Sequence, residues 1–390
     1  MNDVKGCRVA SVVLTTFTRD SRVEKEAEAL TRAGYAVTVY ALAGGGLPQR
    51  EERDGYVVER LPVRTRFLGG SFLGQAVKLV ELSLRLAWRL RLVQIAHCHD
   101  FLPLPSALLA RFMPMSRPLI IYDAHELESE KNGLTPFRSK CIRFLEKFAA
   151  HWLDALITVS PAIRNFYSNF LPQVKSALVL NCPYLWPSFK GDVFHRELGI
   201  PSAVRIVLYQ GRFMPGRHVE ELLEAFRAEI RIDRVLVFLG NAANSHASRS
   251  LERTIKDAAA ALPNVFYLPA VPPARLGEYT GSADIGVSLI EDVCLSYRYC
   301  LPNKFFEFAM AGLPIVVSDL PEMRRMVEKY ECGVICRPGE TGGIRASLDK
   351  ALSGDAAAMG ANARQMAEDH CWEKQEEKLI KLYQSLLQVA

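Results

Sequence analysis

The chain has 390 residues, 49% of them hydrophobic and 23% charged, with a formal net charge of +5 at neutral pH. That length suits two domains, each burying its own core, and the ordinary composition excludes wholesale disorder. So mild a charge excludes the dense basic surface of a nucleic-acid binder but leaves room for a local basic patch.

The nine cysteines are scattered singly with no CxxC pair. An odd count behind an N-terminus without a cleavage signature predicts no disulfide framework. Cys332 and Cys336 have the spacing most like metal ligands, but no second pair follows, and buried or strand-end thiols are the competing reading. No run of about 18 uncharged apolar residues occurs. A chain without a transmembrane helix in a reducing cytoplasm is the expectation.

In chain order, "RVASVVLTT" reads as a strand and "DSRVEKEAEALTRAG" as a helix, with Val23, Ala27 and Leu30 on one face and Gly34 as its C′ residue. "YAVTVYAL" is the next strand, which makes a right-handed parallel βαβ unit. "VQIAHCHD", "PLIIYDAHE", "ALITVS" and "SALVLN" continue as strands, with helices at "PSALLARFM" and "FRSKCIRFLEKFAAHWLDA" between them. A doubly wound parallel sheet fits residues 1 to about 183. "CPYLWPSFKGDVFHRELGIP" breaks the pattern and reads as an interdomain connection. A second alternation runs from "VRIVLYQG" to "CGVICRP", and "WEKQEEKLIKLYQSLLQ" is a long amphipathic helix. The prediction is an α/β chain of two Rossmann-like doubly wound domains facing a cleft. They span 1–185 and 186–370, and a final helix at 371–390 packs back toward the N-terminal domain.

Ligands of such sheets sit beyond the carboxyl ends of the strands, so strand-to-helix loops are where chemistry belongs. In "LYQGRFMPGRHVEELLEAF" a strand ends at Gln210 and Gly211, a helix starts near His218, and Arg212 and Arg217 lie between. A helix N-terminus flanked by two guanidinium groups predicts a phosphate site; the alternative is two solvated loop arginines. In "LPNKFFEFAMAGLPIVVSD", Pro302 opens a helix and Gly312 and Pro314 close it. Lys304 and Glu307 share a face apart from Phe305, Phe308 and Ala309. They are either an exposed ion pair or ligand-facing groups, with Lys304 on a phosphate and Glu307 on a vicinal diol such as a ribose.

His125 follows a strand end on the cleft side. Glu126, Glu128 and Glu130 beside it read as solvated carboxylates. His97 and His99 share a strand face next to Asp100 and read as a polar cleft wall, since zinc would need further ligands and none is placed to help. No D-x-D motif occurs, which argues against a divalent metal bridging a diphosphate. Asp20 or Ser21 can cap the first helix, and Arg22 in its first turn opposes the helix dipole, which asks for an anionic ligand. In "KLVELSLRLAWRLR", Lys78, Arg85 and Arg89 form one helical stripe and Leu79, Leu82, Leu86 and Leu90 another. That is an interfacial helix within the basic segment 64–91, giving peripheral membrane contact, or a packed helix with a solvated face.

Taken together, "GRFMPGRHVEELLEAF", "PNKFFEFAMAGLPIVVSD", "CGVICRPGE" and the terminal helix resemble, in order, the C-terminal landmarks of GT-B glycosyltransferases of the large retaining family 4. "DSRVEKEAEALTRAGYAVTVYA", "YDAHE" and "ITVSPAI" resemble the N-terminal half of its polysaccharide-assembly branch. The resemblance implies a retaining glycosyltransferase that needs no metal or other cofactor. It would take a UDP- or GDP-linked sugar as donor and a hydroxyl of a glycan, lipid-linked or small-molecule acceptor on the N-terminal side. Arg212 and Arg217 would bind the diphosphate, Glu307 the ribose, Gly211, Asn303 and Lys304 other parts of the donor, and the backbone near Val271 the base. His125 would lie beside the reacting bond. Tyr299 stands where the family has a first glutamate, and Ser21 and Arg22 stand where it has a glycine pair. Arg22, His99, Asp100 and Tyr299 are therefore expected as acceptor or donor contacts. The alternatives are a catalytically inactive scaffold of a glycan-assembly complex and an epimerase of the same fold.

Overall fold

The computed structural model describes residues 6–18, 20–69, 71–187, 189–339 and 342–389. Contacts divide the chain into Met1–Leu180 with Gln375–Ala390, here the first unit, and Asn181–Lys374, the second. In the first unit the elements are β1 (Arg8–Val12), α1 (Ser21–Arg32), β2 (Ala36–Leu42), β3 (Arg50–Arg53), β4 (Tyr56–Leu61), α2 (Phe72–Leu90), β5 (Ile95–His99), α3 (Leu104–Arg111), β6 (Leu119–Ala124), α4 (Pro136–Ala149), β7 (Ala155–Thr158), α5 (Pro161–Phe170) and β8 (Ser176–Leu178).

The sheet order is β3-β4-β2-β1-β5-β6-β7-β8. Every pairing is parallel except β3 with β4. The sheet is therefore mixed, and the β3–β4 hairpin at its edge, centred on Asp54 and Gly55, was not expected from the sequence. Its first strand, "REER", holds only Arg and Glu, so the apolar alternation that marks a strand is absent there. The winding reverses between β1 and β5, which puts the switch-point crevice beyond Val12 and His99.

Local chemistry explains the helix starts. Asp20 caps α1 by accepting from the Val23 N–H at 3.3 Å. Thr135 and Ser160 cap α4 and α5, each followed by a proline whose missing N–H costs nothing there. On α2 the leucine stripe turns inward, with Leu82, Leu86 and Leu90 buried. The basic stripe is tied down: Lys78 donates to the Gly69 carbonyl, Arg85 to the Pro62 carbonyl, and Arg89 to Glu59. So α2 is a packed helix, and the stripe expected to meet a membrane is engaged within the fold.

The second unit holds α6 (Val193–Leu198), β9 (Arg205–Gln210), α7 (Val219–Arg227), β10 (Arg234–Leu239), α8 (His246–Ala261), β11 (Val265–Leu268), α9 (Pro273–Thr280), β12 (Ile285–Ser288), α10 (Leu295–Arg298), α11 (Asn303–Met310), β13 (Ile315–Ser318), α12 (Pro321–Tyr330), β14 (Gly333–Cys336), α13 (Gly343–Ser353) and α14 (Ala356–His370). Its sheet is wholly parallel in the order β11-β10-β9-β12-β13-β14, so the switch point lies between β9 and β12. β10, "RVLVFL", is buried at every position, as a strand covered on both faces must be. Tyr209, Phe213, Phe238, Leu222 and Ile255 belong to its core.

The last helix, α15 (Trp372–Val389), begins in the second unit, where the Trp372 N–H donates to the Pro183 carbonyl at 2.8 Å. From Gln375 it belongs to the first, where Tyr383 packs edge-on against Tyr35. The short helix α6 lies in the segment read as pure connection. Among the described residues no cysteine forms a disulfide, and Cys332 and Cys336 are buried. Among the described residues no helix is long and apolar enough to cross a membrane.

Candidate functional site

Two groups of residues, one in each unit, lie at the carboxyl ends of the strands that flank a switch point. In the second unit β9 delivers Gln210, and the loop 211–218 leads into α7. Gly211 has φ +112, and a Cβ at Gly240 would stand 1.9 Å from the Gly211 carbonyl oxygen, so the loops after β9 and β10 touch backbone to backbone. A further close approach sets the other end: a Cβ at Gly216 would stand 2.8 Å from the Tyr297 ring, over which the Arg217 guanidinium lies at 4.7 Å. Arg212 is exposed and Arg217 half-buried. The Arg217 Nη1 is buried with no hydrogen-bond partner.

Helix α11 brings the second pair. Phe305, Phe306, Phe308 and Ala309 are fully buried. Pro302 sits one place before the helix as its N-cap residue, not inside its first turn. Lys304 and Glu307 do not pair with each other. The Lys304 Nζ lies 4.0 Å from the centre of the Tyr209 ring, and Glu307 accepts from Gln210 Nε2 at 2.6 Å. Gln210 is itself fixed by the Thr280 hydroxyl, which donates to its Oε1 at 2.9 Å. Among the described residues no carboxylate lies within ion-pair distance of Arg212, Arg217 or Lys304. Burial, and then repulsion from Arg217, lowers the Lys304 ammonium to about 7. Two cations crowded together, one with an orphaned nitrogen, describe a place built for an anion.

Asn303 is the half-buried first residue of α11, and Tyr299 is half-buried at the end of the one-turn helix α10. Val271, also half-buried, lies past the end of β11, where Asn241 Oδ1 accepts from the Ala270 N–H at 3.2 Å and so joins the loops after β10 and β11. The ligand atoms of His218, Glu221 and Glu291 lie within 4.8 Å of one another near this loop and could hold a metal.

In the first unit the centre is Asp123, a carboxylate in an otherwise apolar strand and fully buried. Arg22 meets it with two hydrogen bonds of 2.9 Å, Nε to Oδ2 and Nη2 to Oδ1, and donates a third to the Val179 carbonyl at 3.0 Å. Glu26 lies 3.1 Å from the same guanidinium. The anion that Arg22 calls for at the start of α1 is thus the protein's own. Arg22, 2% exposed, positions Asp123 and Glu26, and its expected role as a ligand contact does not hold.

His125, just past β6, puts Nε2 3.3 Å from Asp123 Oδ2 and 3.2 Å from His99 Nδ1. Burial alone would lower His125, but the Asp123 charge and hydrogen bond outweigh it and raise the imidazole to about 9. Asp123 is held well below the usual carboxylate range by Arg22 and His125, against its burial. His97 and His99 are lowered by burial and stay neutral. With His125 charged, its single Nε2–H lies between Asp123 Oδ2 and His99 Nδ1, and His99 Nε2 meets Ser11 Oγ at 2.8 Å, across the switch point from β5 to β1. His97 stacks on His99 and meets the Tyr383 hydroxyl at 2.7 Å.

Glu26, His97, His99 and Asp123 have ligand atoms within 4.8 Å of one another. The further zinc ligands expected to be lacking are therefore present, brought by α1 and β6. Arg22 already supplies the cation in their midst, and a metal would have to displace it. Asp100 has φ +64, a left-handed conformation that non-glycine residues seldom adopt. Its Oδ1 is buried without a hydrogen-bond partner and lies 3.9 Å from His125 Nδ1. Glu128, expected to be solvated, is buried, pairs with Lys131 at 2.6 Å and is pushed up to about 8 by burial and then by Asp100. Sequence reasoning missed Asp123, Glu26, Gln210 and Tyr209. The visible signal for the first was an acid closing the apolar strand "LIIYDA".

Comparison with known proteins agrees with the two-unit fold. A family model described as a glycosyl transferase 4-like domain matches residues 20–182, and one described as glycosyl transferases group 1 matches residues 192–366. No curated protein matches the sequence. Among solved structures, a sucrose-phosphate synthase from Thermosynechococcus elongatus has TM-score 0.79 at 17% identity, covering 98% of this chain and 100% of that one. The Anabaena protein HepE in complex with UDP-glucose has TM-score 0.73 at 14% identity, covering 97% and 99%. An E. coli trehalose-6-phosphate structure bound with UDP-2-fluoro glucose has TM-score 0.73 at 13% identity, covering 96% and 98%. At these identities the likeness is one of fold.

Proposed function

The chain belongs to the GT-B glycosyltransferases and acts by nucleotide-sugar glycosyl transfer, and from that premise we propose that it works with retention of configuration and without a metal, on a hydroxyl acceptor. The observation that carries this reading is the crowding of Arg217 against Lys304, with the Arg217 Nη1 left without a partner and Arg212 on the same loop. A donor diphosphate would satisfy that nitrogen and neutralise the cluster. Glu307, oriented by Gln210, would accept from the ribose hydroxyls. As the bond from the anomeric carbon to the diphosphate breaks, its electron pair passes to the leaving phosphate, and the same cations stabilise the charge that develops. The acceptor oxygen bonds to the anomeric carbon from that face and gives its proton to the departing phosphate.

His125 is a cation at neutral pH, so its role would be to donate a hydrogen bond to a sugar oxygen rather than to take the acceptor's proton. The Anabaena and E. coli proteins are described with UDP-linked sugars, which makes uridine diphosphate the first nucleotide to try.

The test is a thermal-shift titration with UDP, GDP, ADP and TDP, with and without EDTA, followed by detection of nucleotide released from the matching sugar donor. A rise selective for one nucleotide and indifferent to EDTA supports the reading. A rise abolished by EDTA would overturn metal independence and point to His218, Glu221 and Glu291. No rise with any nucleotide would overturn the placement of the donor.

A further inference from the structure

Helices α2, α3 and α4 share one face of the first sheet. The chain steps from β4 to β5, β6 and β7 in one direction through them, and right-handed crossovers put all three on the same side. α2 packs against α3. Phe112, just past α3, and Phe148 of α4 both pack on Trp152, with ring centres 5.5 and 4.8 Å away.

The outward side of this layer is both apolar and basic. On α4, Phe137 is 76% exposed and Phe144 69%, and Phe148 is exposed beside them. Arg138, Lys140, Arg143 and Lys147 are exposed on the same helix. Its one carboxylate, Glu146, is turned inward and accepts from the Tyr167 and Tyr122 hydroxyls at 2.7 and 3.0 Å. Lys147 lies over the Phe170 ring, and Arg143 lies over it too while reaching Glu130 at 3.6 Å. Arg138 and Lys140 have no ion-pair partner among the described residues. On α2, opposite its buried leucines, Leu73, Val77, Val80, Leu84 and Trp88 are exposed at helical spacing. The Arg91 guanidinium lies 3.5 Å from the centre of the Trp88 ring.

We infer that this face docks on an anionic lipid bilayer. Exposed apolar surface of this extent marks an interaction site. Phenylalanine and tryptophan rings enter the headgroup boundary, and lysines and arginines around them draw negative lipids. Pairing the face with a second copy would set the four exposed cations of α4 against their like, which disfavours a dimer. The docking residues differ from the α2 basic stripe, whose charges are engaged within the fold.

The full chain is sedimented with vesicles of mixed phosphatidylglycerol and phosphatidylcholine, and with phosphatidylcholine alone. Binding to the anionic vesicles is expected to exceed the other by roughly tenfold or more. F144S/F148S and R138E/K140E should each remove most of that binding, while K381E, on an exposed part of α15, should not. Arg138, Lys140 and Phe144 are exposed, so melting temperatures should stay near the wild-type value, with any loss confined to the Phe148 contact on Trp152. L84S/W88S on a different helix gives an independent variant if an α4 variant melts early. Equal sedimentation of wild type and variants, or no binding to either vesicle, would overturn the inference. So would a wild-type dimer in sedimentation velocity that F144S/F148S dissolves, which would make a second copy the occupant.

Discussion

Arg22 reaches Asp123, 101 positions later in the chain, through two parallel hydrogen bonds of 2.9 Å, and both side chains are buried. Removing one partner leaves the other charge stranded away from water. Asp123→Asn is expected to cost about 3–5 kcal/mol, the range for breaking a buried pair. Urea unfolding measures it, and a loss below about 1 kcal/mol would place the pair among ordinary surface bridges. Arg22→Lys should also destabilise, because an ammonium cannot make the two-pronged contact.

The same carboxylate sets the charge of His125. Its folded-state pKa of about 9 lies above its ordinary value, so His125 contributes stability that is full below about pH 6.5 and is lost as pH rises through 9. Wild-type stability should therefore fall across that window, and His125→Gln should flatten the fall. Imidazole NMR reads the group directly: a His125 midpoint at or below 6.5 in the wild type would contradict the arrangement.

Lys304 titrates near 7 when the site is empty. A bound diphosphate favours the charged form and raises that pKa, so binding takes up a proton. Nucleotide affinity is expected to weaken as pH rises above about 7, by up to about tenfold per pH unit until the bound-state pKa is passed. Calorimetry in buffers of different ionisation enthalpy counts the proton. Lys304→Met should abolish both the uptake and the slope; a slope that persists in this variant would assign the proton to another group.

Arg212 is exposed and the Arg217 Nη1 makes no hydrogen bond, so neither should matter much to stability. Alanine at either position is expected to lower kcat by about 100- to 1,000-fold, the scale of losing one preorganised charge-stabilising donor. An unchanged urea midpoint must accompany that loss. A variant that unfolds early with near-normal specific activity would make the residue structural.

Gly286 on β12 faces the Phe308 ring of α11, and a Cβ there would fall 2.2 Å from Phe308 Cγ. Gly286→Ala should overpack the joint at a cost of about 1–3 kcal/mol. Because Lys304 and Glu307 ride on the same helix, the nucleotide-induced thermal shift should shrink as well. A full shift in a destabilised variant would show that α11 holds its place without this contact.

Much of the architecture was legible because apolar runs between turn residues repeat at strand and helix lengths. Val23, Ala27 and Leu30 marked α1, and "RVLVFL" marked a strand covered on both sides. The β3–β4 hairpin escaped because Arg and Glu carry no such periodicity. α13 and α14 were not read from the sequence at all, since helices with scattered charges and small residues have weak apolar faces. At the candidate site, the loop of Arg212 and Arg217 and the helix of Lys304 and Glu307 were readable, because strand ends and helix starts locate ligand positions. Glu128 was misjudged, since alternation in a loop does not tell which carboxylate turns inward.

Local chemistry in the sequence determined the order of strands and helices, their caps, and the residues that stand at strand ends. Those depend on neighbours within a few positions. The tertiary structure alone decided which charges meet. Arg22 looked like a ligand contact until β6 brought Asp123 to it, and α2 stood between an interfacial and a packed helix until the fold buried its leucines. Lys304 and Glu307 stood between an ion pair and ligand-facing groups until Tyr209 and Gln210 came up against them. A charge's role is set by what lies within about 4 Å of it, and in a sheet whose neighbours come from distant segments, that company is fixed only when the strands pair.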